Sequence, residues 1–374
     1  MKNVLLLLVS VGVSLLLLEL GLRAFTPFPV HWRSHQVPDP ILRWVMDPNH
    51  EEIDADGFRN PGVPETAAIV AIGDSHTYGF NARPDESWPA QLAQLSGREV
   101  YNLGMGGYGP LQYLYLTERA LELRPDWVVV GLYVANDLVD VCRDLTRREH
   151  WRGWAEQNGI DTAACGTPKS GQRWGERERS LDFWLQTNTA LGSLLTLTTR
   201  DWRTVRRMDR GEIRPHQGIA VIEPGVKAEL KQRTIRHRGR DMNLDDPRHA
   251  LALEVLKTVL GQTKARTDAG GARLGVLFIP TRLLVFQAYL VEHGYPVSAE
   301  YEEAVAWERR IVSQLGAHLD ALGVSWVEAQ PKLERALADD GNPYPIRDDS
   351  HPRAAGYRAY AEAALQLIQA DSTP

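Results

Sequence analysis

The stretch that decides the fold runs from Ala67 to Gly79 and reads AAIVAIGDSHTYG. Its first six residues, Ala67–Ile72, form a short and continuous apolar run, which is typical of a strand buried on both faces of a parallel sheet. The run passes directly into Gly73-Asp74-Ser75, where the apolar residues stop and turn-forming residues begin. The pattern therefore predicts that Ser75 lies just past the carboxyl end of a buried strand.

Strands and helices are predicted to alternate along the rest of the chain. Four more apolar runs indicate strands, and several other segments have apolar residues at helical spacing. The predicted strands are Glu99–Leu103, Trp127–Val134, Leu274–Ile279 and Val324–Val327, and the predicted helices are Trp88–Leu95, Leu111–Leu123, Tyr301–Leu322 and Arg353–Gln369. This alternation predicts an α/β fold, a three-layer sandwich with helices on both faces of a five-stranded parallel sheet.

Polar residues follow three of these strands. Ser75, Gly107 and Asn136 each lie just past a different strand end, and parallel sheets bind their ligands outside the carboxyl ends of the strands. Each motif also has an ordinary structural explanation, since Gly-Asp-Ser is a common turn and Asn136 is a good helix N-cap. The segment Asp348–His351 can likewise cap the last helix, with a proline in its first turn. Their joint placement at strand ends favours a catalytic site over separate turns.

Composition excludes some classes of function. The chain has 374 residues, of which 43% are hydrophobic and 24% charged, as in ordinary globular proteins. The formal net charge of −6 argues against nucleic acid as a partner, because nucleic-acid-binding proteins usually carry a basic face. No His, Cys or Asp cluster has metal-ligand spacing, so we predict neither a metal site nor a cofactor.

The N-terminal residues 1–24 are predicted to be a targeting segment. Lys2 precedes an apolar run from Val4 to Leu18, with Glu19 following it. The segment is just long enough to be a retained membrane anchor, and a cleaved signal peptide is the alternative. Either interpretation places the catalytic body outside the cytoplasm, in the periplasm or the extracellular space, on the cell membrane or secreted. A cytoplasmic body with a buried apolar leader is the remaining alternative. Residues 25–66 are rich in proline and are predicted to be a tether. Within it, Asp54–Asn60 is predicted to form a turn at Asp56-Gly57 followed by a short extended piece.

The long segment at about 143–272 interrupts the pattern of strands and is predicted to be a largely helical insertion. Helical spacing recurs at Phe183–Thr198 and His249–Val259, whereas Thr199–Arg240 is basic and is predicted to be a mobile surface stretch near an anionic membrane or acidic glycan. Two interpretations of the insertion stay open, a lid or substrate platform and a helical layer with its own core. The two interpretations assign different roles to the tryptophans of the insertion, which are Trp151, Trp154, Trp174, Trp184 and Trp202.

Two cysteines, Cys142 and Cys165, are the only ones in the chain. In an exported protein such a pair can form one disulfide, which here would close a local loop. Two unpaired thiols, one of them buried, are the alternative. We favour the disulfide, because exposed free thiols are a liability in an oxidising compartment.

Four motifs together resemble the blocks of the GDSL/SGNH hydrolase family. They are Gly73–Gly79, Asn102–Gly107, Asn136-Asp137 and Asp348–Pro352, and Trp88-Pro89 is also similar to the family pattern. The resemblance covers about residues 67–140 and 272–370. It implies a flavodoxin-like SGNH fold for a hydrolase domain at 67–374. The sequence departs from the family at Val134, where the third block usually carries a glycine two residues before its asparagine.

The resemblance also implies a role for each motif residue. Ser75 is expected to be the nucleophile, His351 its base and Asp348 the acid that orients the base. Asp349 is a competing partner for His351, and Asp348 is preferred because its three-residue spacing fits the family. An oxyanion hole is expected from the backbone N–H groups of Ser75 and Gly107 and the side-chain amide of Asn136.

Several functions remain open from the sequence. The first is a serine esterase that removes O-acyl groups, foremost acetyl, from a cell-envelope or exported glycan through an acyl-Ser75 intermediate. An O-acyltransferase that places the acyl group on a polysaccharide would use the same triad, and a lipid esterase or lysophospholipase is a third possibility. A non-catalytic carbohydrate-binding protein belongs to a different class, and it is disfavoured because both Ser75 and His351 are present.

Overall fold

The computed structural model describes residues 2–25, 36–50, 52–166, 226–339 and 342–370, together with short pieces at 185, 189–192, 194–195, 206 and 219–222. Its strands are β1 (Gln36–Asp39), β2 (Arg43–Met46), β3 (Ile69–Gly73), β4 (Val100–Gly104), β5 (Trp127–Leu132), β6 (Ile219–Ile222), β7 (Val226–Glu229), β8 (Arg273–Phe278) and β9 (Ser325–Glu328).

The helices of the described residues divide into an N-terminal helix and those of the folded body. They are α1 (Lys2–Phe25), α2 (Ser75–Tyr78), α3 (Trp88–Ser96), α4 (Pro110–Glu122), α5 (Val134–Arg147), α6 (Glu149–Gln157), α7 (Gln232–Met242), α8 (Pro247–Ala269), α9 (Arg282–Glu292), α10 (Ala299–Ala321), α11 (Gln330–Asp339) and α12 (Ala354–Ala370). Short 3₁₀ turns lie at Pro84–Glu86 and Ala163–Cys165.

The central sheet has five parallel strands in the order β4-β3-β5-β8-β9. Every residue of β3 and β5 is buried, as expected for strands covered on both faces. Helices α3 and α12 pack together on one face of the sheet, and α4, α5 and α8 pack together on the other. The predicted three-layer α/β fold with a five-stranded parallel sheet is therefore confirmed. The strand order reverses direction beside β3, which is where open α/β sheets bind ligands.

Three glycines lie side by side at the carboxyl edge of this sheet. Gly73 ends β3 and pairs with Gly104 of β4 on one side and with Gly131 of β5 on the other. A Cβ atom added to any of the three would approach Thr77 of α2 to within 2.1–2.7 Å, far inside contact distance. The three glycines therefore let α2 sit directly on the edge of the sheet.

The segment predicted to be a tether is folded over most of its described length. Strands β1 and β2 form an antiparallel hairpin, and Met46, Ile53 and Phe58 are buried in the main core. The prediction of a tether is therefore wrong for residues 36–60, because this Pro-rich segment folds through short strands, turns and buried apolar anchors. Residues 26–35 lie outside the described part of the chain.

The predicted mobile stretch is also partly folded. Its last residues form α7, which packs along α10 and buries Ile235. The prediction is wrong for α7, because the basic residues of this helix obscured a narrow apolar face in the sequence. Much of Thr199–Arg240 lies outside the described residues. Helix α8, which contains the predicted helical stretch His249–Val259, belongs to the layer covering the sheet.

A disulfide joins Cys142 of α5 to Cys165, as favoured from the sequence. It ties the turn after α6 to α5. Of the five tryptophans in the predicted insertion, Trp151 and Trp154 are described, and both are buried. Their indole N–H groups donate to the Ile41 carbonyl at 3.1 Å and to Gln262 Oε1 at 3.1 Å. These two tryptophans therefore attach α6 to the β1–β2 hairpin and to α8. Trp174, Trp184 and Trp202, and most of the predicted helix Phe183–Thr198, lie outside the described residues.

Helix α1 differs from the folded body because its apolar side chains are exposed. Its residues Lys2–Leu22 are mostly apolar and mostly exposed, and by length and composition they suffice to cross a membrane. A signal sequence meets the same criteria. The carboxylate of Glu19 accepts hydrogen bonds from the backbone N–H groups of Ala190 and Leu191 at 2.8 and 2.9 Å.

Candidate active site

The candidate nucleophile lies at the first residue of α2. Asp74 caps this short helix, with its Oδ1 accepting from the His76 N–H at 2.8 Å, and Gly79 ends it with a φ of +87°. Residues 76–78 are buried and Ser75 is half-buried, so the serine is the residue of this turn that meets solvent. The turn therefore fixes the backbone of Ser75 and presents its hydroxyl at the carboxyl edge of the sheet.

Two motifs that are far apart in sequence meet at this hydroxyl. Ser75 Oγ lies 2.8 Å from His351 Nε2, although 276 residues separate them. His351 follows a loop at the carboxyl side of the last strand, just before α12. The structure thus brings together the serine and the histidine that the sequence predicted to act together, within hydrogen-bond reach.

The partner of the histidine differs from the predicted one. His351 Nδ1 lies 2.8 Å from Oδ1 of Asp349, and the same oxygen accepts from the His351 backbone N–H at 3.0 Å. The prediction that Asp348 contacts His351 is therefore wrong. The reason is local, since residues 342–353 are not helical and a three-residue spacing does not bring side chains together there. Asp349 instead forms a turn with the backbone two residues ahead, which aligns its carboxylate with the ring.

Asp348 faces a different part of the molecule. Its Oδ2 accepts a hydrogen bond from the hydroxyl of Thr234 on α7. The two residues line a cavity of about 220 Å³ together with Arg238 and Arg282. Asp348 therefore helps to attach α7 to the loop that carries His351.

Asp349 is held by neutral and cationic donors on the side away from the histidine. Its Oδ2 accepts from Asn81 Nδ2 at 3.1 Å and from Arg347 Nη2 at 3.0 Å. Burial by itself would raise the pKa of Asp349, but the hydrogen bond and charge of His351, with the charge of Arg347, hold that pKa well below its usual range. The carboxylate is thus ionised and fixed at neutral pH. Asn81 was missed from the sequence, where an asparagine two residues after Gly79 indicates only a turn; in the structure its backbone is left-handed, with a φ of +68°.

The imidazole of His351 is packed between two rings. His76 stacks on it with centroids 4.8 Å apart, and Phe80 lies 4.7 Å away at a steeper angle. Burial, followed by the charges of His351 and Arg238, lowers the pKa of His76 well below its ordinary value, so His76 is neutral. His76, predicted to be structural or solvent-facing, is structural. It contributes a neutral packing surface next to His351.

Two of the predicted oxyanion donors converge near Ser75. Within the described residues the Ser75 backbone N–H makes no hydrogen bond, because the first-turn bonds of α2 come from residues 76–78. The Asn136 side chain comes from the first turn of α5, and its Nδ2 donates at 2.9 Å to Oδ2 of Asp74, the residue before Ser75. That bond uses one of two amide hydrogens and fixes the orientation of the side chain. The second hydrogen is available to a ligand.

The third predicted donor, Gly107, lies in a loop that reaches back to the N-terminal hairpin. Its φ is +81°, and an added Cβ would lie 2.9 Å from the ring of Trp44. Glycine is required here because the backbone is left-handed and the indole is close. The Gly107 carbonyl accepts from Arg43 Nη1 at 2.7 Å and from Arg143 Nη2 at 3.1 Å. Trp44 Nε1 donates to the preceding Gly106 carbonyl at 3.0 Å. The loop is therefore fixed by strand β2 on one side and by helix α5 on the other.

Comparison with known protein families agrees with this geometry. The model of the GDSL-like lipase/acylhydrolase family matches residues 71–359, which is well over half of the chain and includes all the motifs above. The protein belongs to this family. As a GDSL hydrolase it is an ester hydrolase. No relative among the curated proteins matches the chain.

Solved structures of GDSL proteins resemble the chain at low identity. A protein of the G-D-S-L family from Desulfitobacterium hafniense is 11% identical, with 80% of this chain and 98% of its own covered and a TM-score of 0.38. A catalytic mutant of Axe2, an acetylxylan esterase from Geobacillus stearothermophilus, is 13% identical, with 82% and 95% covered and a TM-score of 0.37.

One element of this GDSL hydrolase was not anticipated as part of the site. The turn at Asp54–Asn60, to which the sequence assigned no chemistry, packs beneath α2. Arg59 is buried and donates to the carbonyls of Gly79 and Ala82, both at 3.0 Å, while it pairs with Glu52 at 2.9 Å. Arginine in a buried position needs such partners, which the sequence alone does not reveal.

Asn60 joins the same segment to β4, and we call the bonds that Arg59 and Asn60 make to α2 and β4 the clamp. Its Nδ2 donates to the Asn102 carbonyl at 3.0 Å, and its Oδ1 accepts from the Asn102 N–H at 2.9 Å. Asn102 in turn donates from Nδ2 to the Thr77 carbonyl in α2 at 3.0 Å. The chain of bonds from Asn60 through Asn102 to Thr77 holds the turn of the candidate nucleophile against the sheet.

We expect Asn60→Ala to lower the free energy of unfolding by roughly 2–6 kcal/mol, because two buried backbone groups of Asn102 lose their partner at about 1–3 kcal/mol each. Denaturant unfolding of the full chain in detergent measures the change. Asn49→Ala is the matched control, since Asn49 is exposed and bonds only locally to Asp47. A loss no larger than that of the control would show that the clamp does not stabilise the fold.

Proposed function

We propose that this GDSL hydrolase is a serine esterase that cleaves O-acyl esters through an acyl-Ser75 intermediate, with Asp349 rather than Asp348 supporting the base. One observation carries the proposal, the continuous line of contacts from Ser75 Oγ to His351 and from His351 to Asp349, each 2.8 Å long. A serine hydroxyl becomes a useful nucleophile when such a base can take its proton. The oriented carboxylate keeps the imidazole in the required tautomer.

The reaction follows from these positions. Ser75 Oγ attacks the ester carbonyl carbon as its proton passes to His351 Nε2, and the carbonyl oxygen becomes an oxyanion. The C–O bond to the alcohol then breaks, the alcohol leaves with the proton from His351, and the acyl group stays on Ser75. Water repeats the sequence, giving its proton to His351 and releasing the carboxylic acid with Ser75 restored. The ionised carboxylate of Asp349 stabilises the imidazolium in both halves.

The oxyanion would be stabilised by the N–H groups of Ser75 and Gly107 and by the second amide hydrogen of Asn136. Each is held in place before the substrate arrives, Asn136 by Asp74 and the Gly107 loop by Arg43. Preorganised donors of this kind contribute about 2.7–4 kcal/mol each to the stability of the transition state. The neutral ring of His76 packs against His351 without adding a competing charge.

The proposed substrate is an O-acylated, foremost O-acetylated, glycan outside the cytoplasm. The apolar exposed helix α1 supports a location at or beyond the membrane, and the disulfide Cys142–Cys165 supports an oxidising compartment. Transfer of the acyl group to a polysaccharide is a second candidate, because acyl-Ser75 is common to hydrolysis and transfer. The two differ only in whether water or a sugar hydroxyl attacks the intermediate. A lipid esterase is a third member of this chemical class.

The direct test is turnover of a short-chain acetyl ester by the full chain in detergent. We expect Ser75→Ala to lower kcat by at least about 10³-fold, as when the nucleophile of a triad is removed. Equal turnover by the two proteins would rule out the proposed mechanism. Supplying a glycan acceptor and detecting acylated sugar by mass spectrometry separates transfer from hydrolysis.

A pair of neighbouring aspartates provides a second test. We expect Asp349→Asn to lower kcat by about 10²–10⁴-fold, because the amide no longer fixes the histidine tautomer or stabilises the imidazolium. Asp348→Asn is the matched control and should change kcat by less than about threefold, since its side chain bonds Thr234 instead of His351. Ester turnover measured at one pH for both variants checks this expectation. A larger loss of kcat in Asp348→Asn than in Asp349→Asn would show that Asp348, and not Asp349, supports His351.

A further inference from the structure

A second cavity, of about 780 Å³, lies beside the Gly107 loop, between the β1–β2 hairpin and the helices α5 and α6. Its volume falls in the range of small-molecule sites. Two of its lining side chains, Arg43 and Arg143, donate to the Gly107 carbonyl. The cavity therefore adjoins the loop that we propose holds the oxyanion, on the side of the Gly107 carbonyl.

The charges in this cavity are unbalanced. Four arginines line it, Arg43, Arg143, Arg147 and Arg148, against two lining carboxylates, Asp144 and Glu149. A third carboxylate, Asp140, pairs with Arg143 from behind the lining, so the arginines still outnumber the carboxylates. Asp144 is shared between two of these arginines, at 2.9 Å from Arg143 and 3.5 Å from Arg148. Arg147 is exposed and forms no ion pair within the described part of the chain. The excess of cations favours an anionic ligand.

Arg43 is placed in the cavity by an uncommon backbone conformation. Its φ is +79°, which residues with a Cβ rarely adopt and which commonly marks a functional position. The turn before it is held by Asp39, whose Oδ1 accepts from the N–H groups of Ile41 and Leu42. The guanidinium stacks on Trp44 at 4.2 Å from the ring centroid. Burial, followed by the charge of Arg143, lowers the pKa of Arg43 to about 10, so an anion would relieve crowding of like charges.

Arginine side chains select the chemistry of the ligand. A guanidinium presents parallel N–H donors that match the two oxygens of a carboxylate, and Arg–carboxylate pairs are often bidentate for that reason. We infer that the cavity binds the carboxylate-bearing sugar units of an acidic glycan, next to the place where an acyl ester on that glycan meets Ser75. The inference deepens the proposed function and rests on it for the identity of the reacting group. It makes the preferred substrate an acylated glycan of uronic acid type.

Binding can be measured without turnover in the full-length Ser75→Ala protein in detergent. The probe is a uronic acid oligosaccharide, compared by calorimetric titration with the same oligosaccharide whose carboxyl groups have been reduced to alcohols. We expect the carboxylated form to bind at least about tenfold more tightly, and the preference to shrink as salt is raised. Equal affinity for the two forms, or binding of neither, would overturn the inference.

A charge reversal localises the effect. Arg147→Glu in the same background should weaken binding of the carboxylated probe by about tenfold or more and leave binding of the reduced probe unaltered. Arg335→Glu is the matched control, because Arg335 is exposed on α11 and does not line the cavity. Equal losses in the two variants would show a nonspecific charge effect and overturn the assignment to this cavity.

A third probe separates anion types, and the ester assay separates the two proposals. Tighter binding of a phosphorylated oligosaccharide than of the uronic acid probe would overturn the choice of carboxylate. If Ser75→Ala abolishes ester turnover but the carboxylate preference is absent, the esterase mechanism stands and the inference about the cavity fails. If Ser75→Ala retains full ester turnover, the proposed function fails whatever the binding results.

Discussion

The site depends on the close packing of α2 against the edge of the central sheet. Three glycines, paired side by side at the ends of β3, β4 and β5, leave no side chain between Thr77 and the sheet. Because a methyl group at any of them would collide with this turn, the sequence at these strand ends is constrained by packing. The turn is thereby fixed at the switch point of the sheet, and its one half-buried residue, Ser75, faces the loops that follow the other strands.

The same packing explains why remote parts of the chain join the site. Arg59 and Asn60 approach α2 from the N-terminal segment, and Asn102 holds it from β4. His351 approaches from the far end of the sequence and is packed between His76 and Phe80 of the α2 region. A rigid α2 turn thus serves as the reference against which the histidine loop, the asparagine of α5 and the glycine loop are positioned.

The site also controls which of its carboxylates is charged. Asp349 is ionised because donors surround it, whereas burial raises the pKa of Asp74 and raises that of Asp137 well above its usual range. Asp137 accepts from the Tyr113 hydroxyl at 2.9 Å and serves the packing of α4 and α5. The negative charge is therefore retained where it faces the histidine, and it is disfavoured in the core behind the nucleophile turn.

Much of the fold was predictable from the sequence, because buried parallel strands have continuous apolar runs and end in polar turns. The meeting of Ser75 with His351 was implied by the resemblance of their two motifs to the GDSL/SGNH family. The acid of the triad was not predictable, because Asp348 and Asp349 are adjacent and only the backbone of a non-helical loop decides which side chain reaches the ring. The folded segment at residues 36–60 was missed because prolines, short strands and isolated apolar anchors leave no periodic pattern. Arg59 and Asn60 act through backbone partners that are distant in sequence, and no local pattern reports such bonds.

The most direct measurement of the central claim is covalent labelling of the full chain with a fluorophosphonate, followed by peptide mapping with mass spectrometry. This reagent reacts with a serine whose proton can pass to a neighbouring base. The phosphoryl oxygen of the reagent then occupies the oxyanion hole. The account predicts a single modification on Ser75 that is strongly slowed in His351→Ala. Labelling of a different serine, or an unmodified Ser75 in protein that hydrolyses esters, would contradict it.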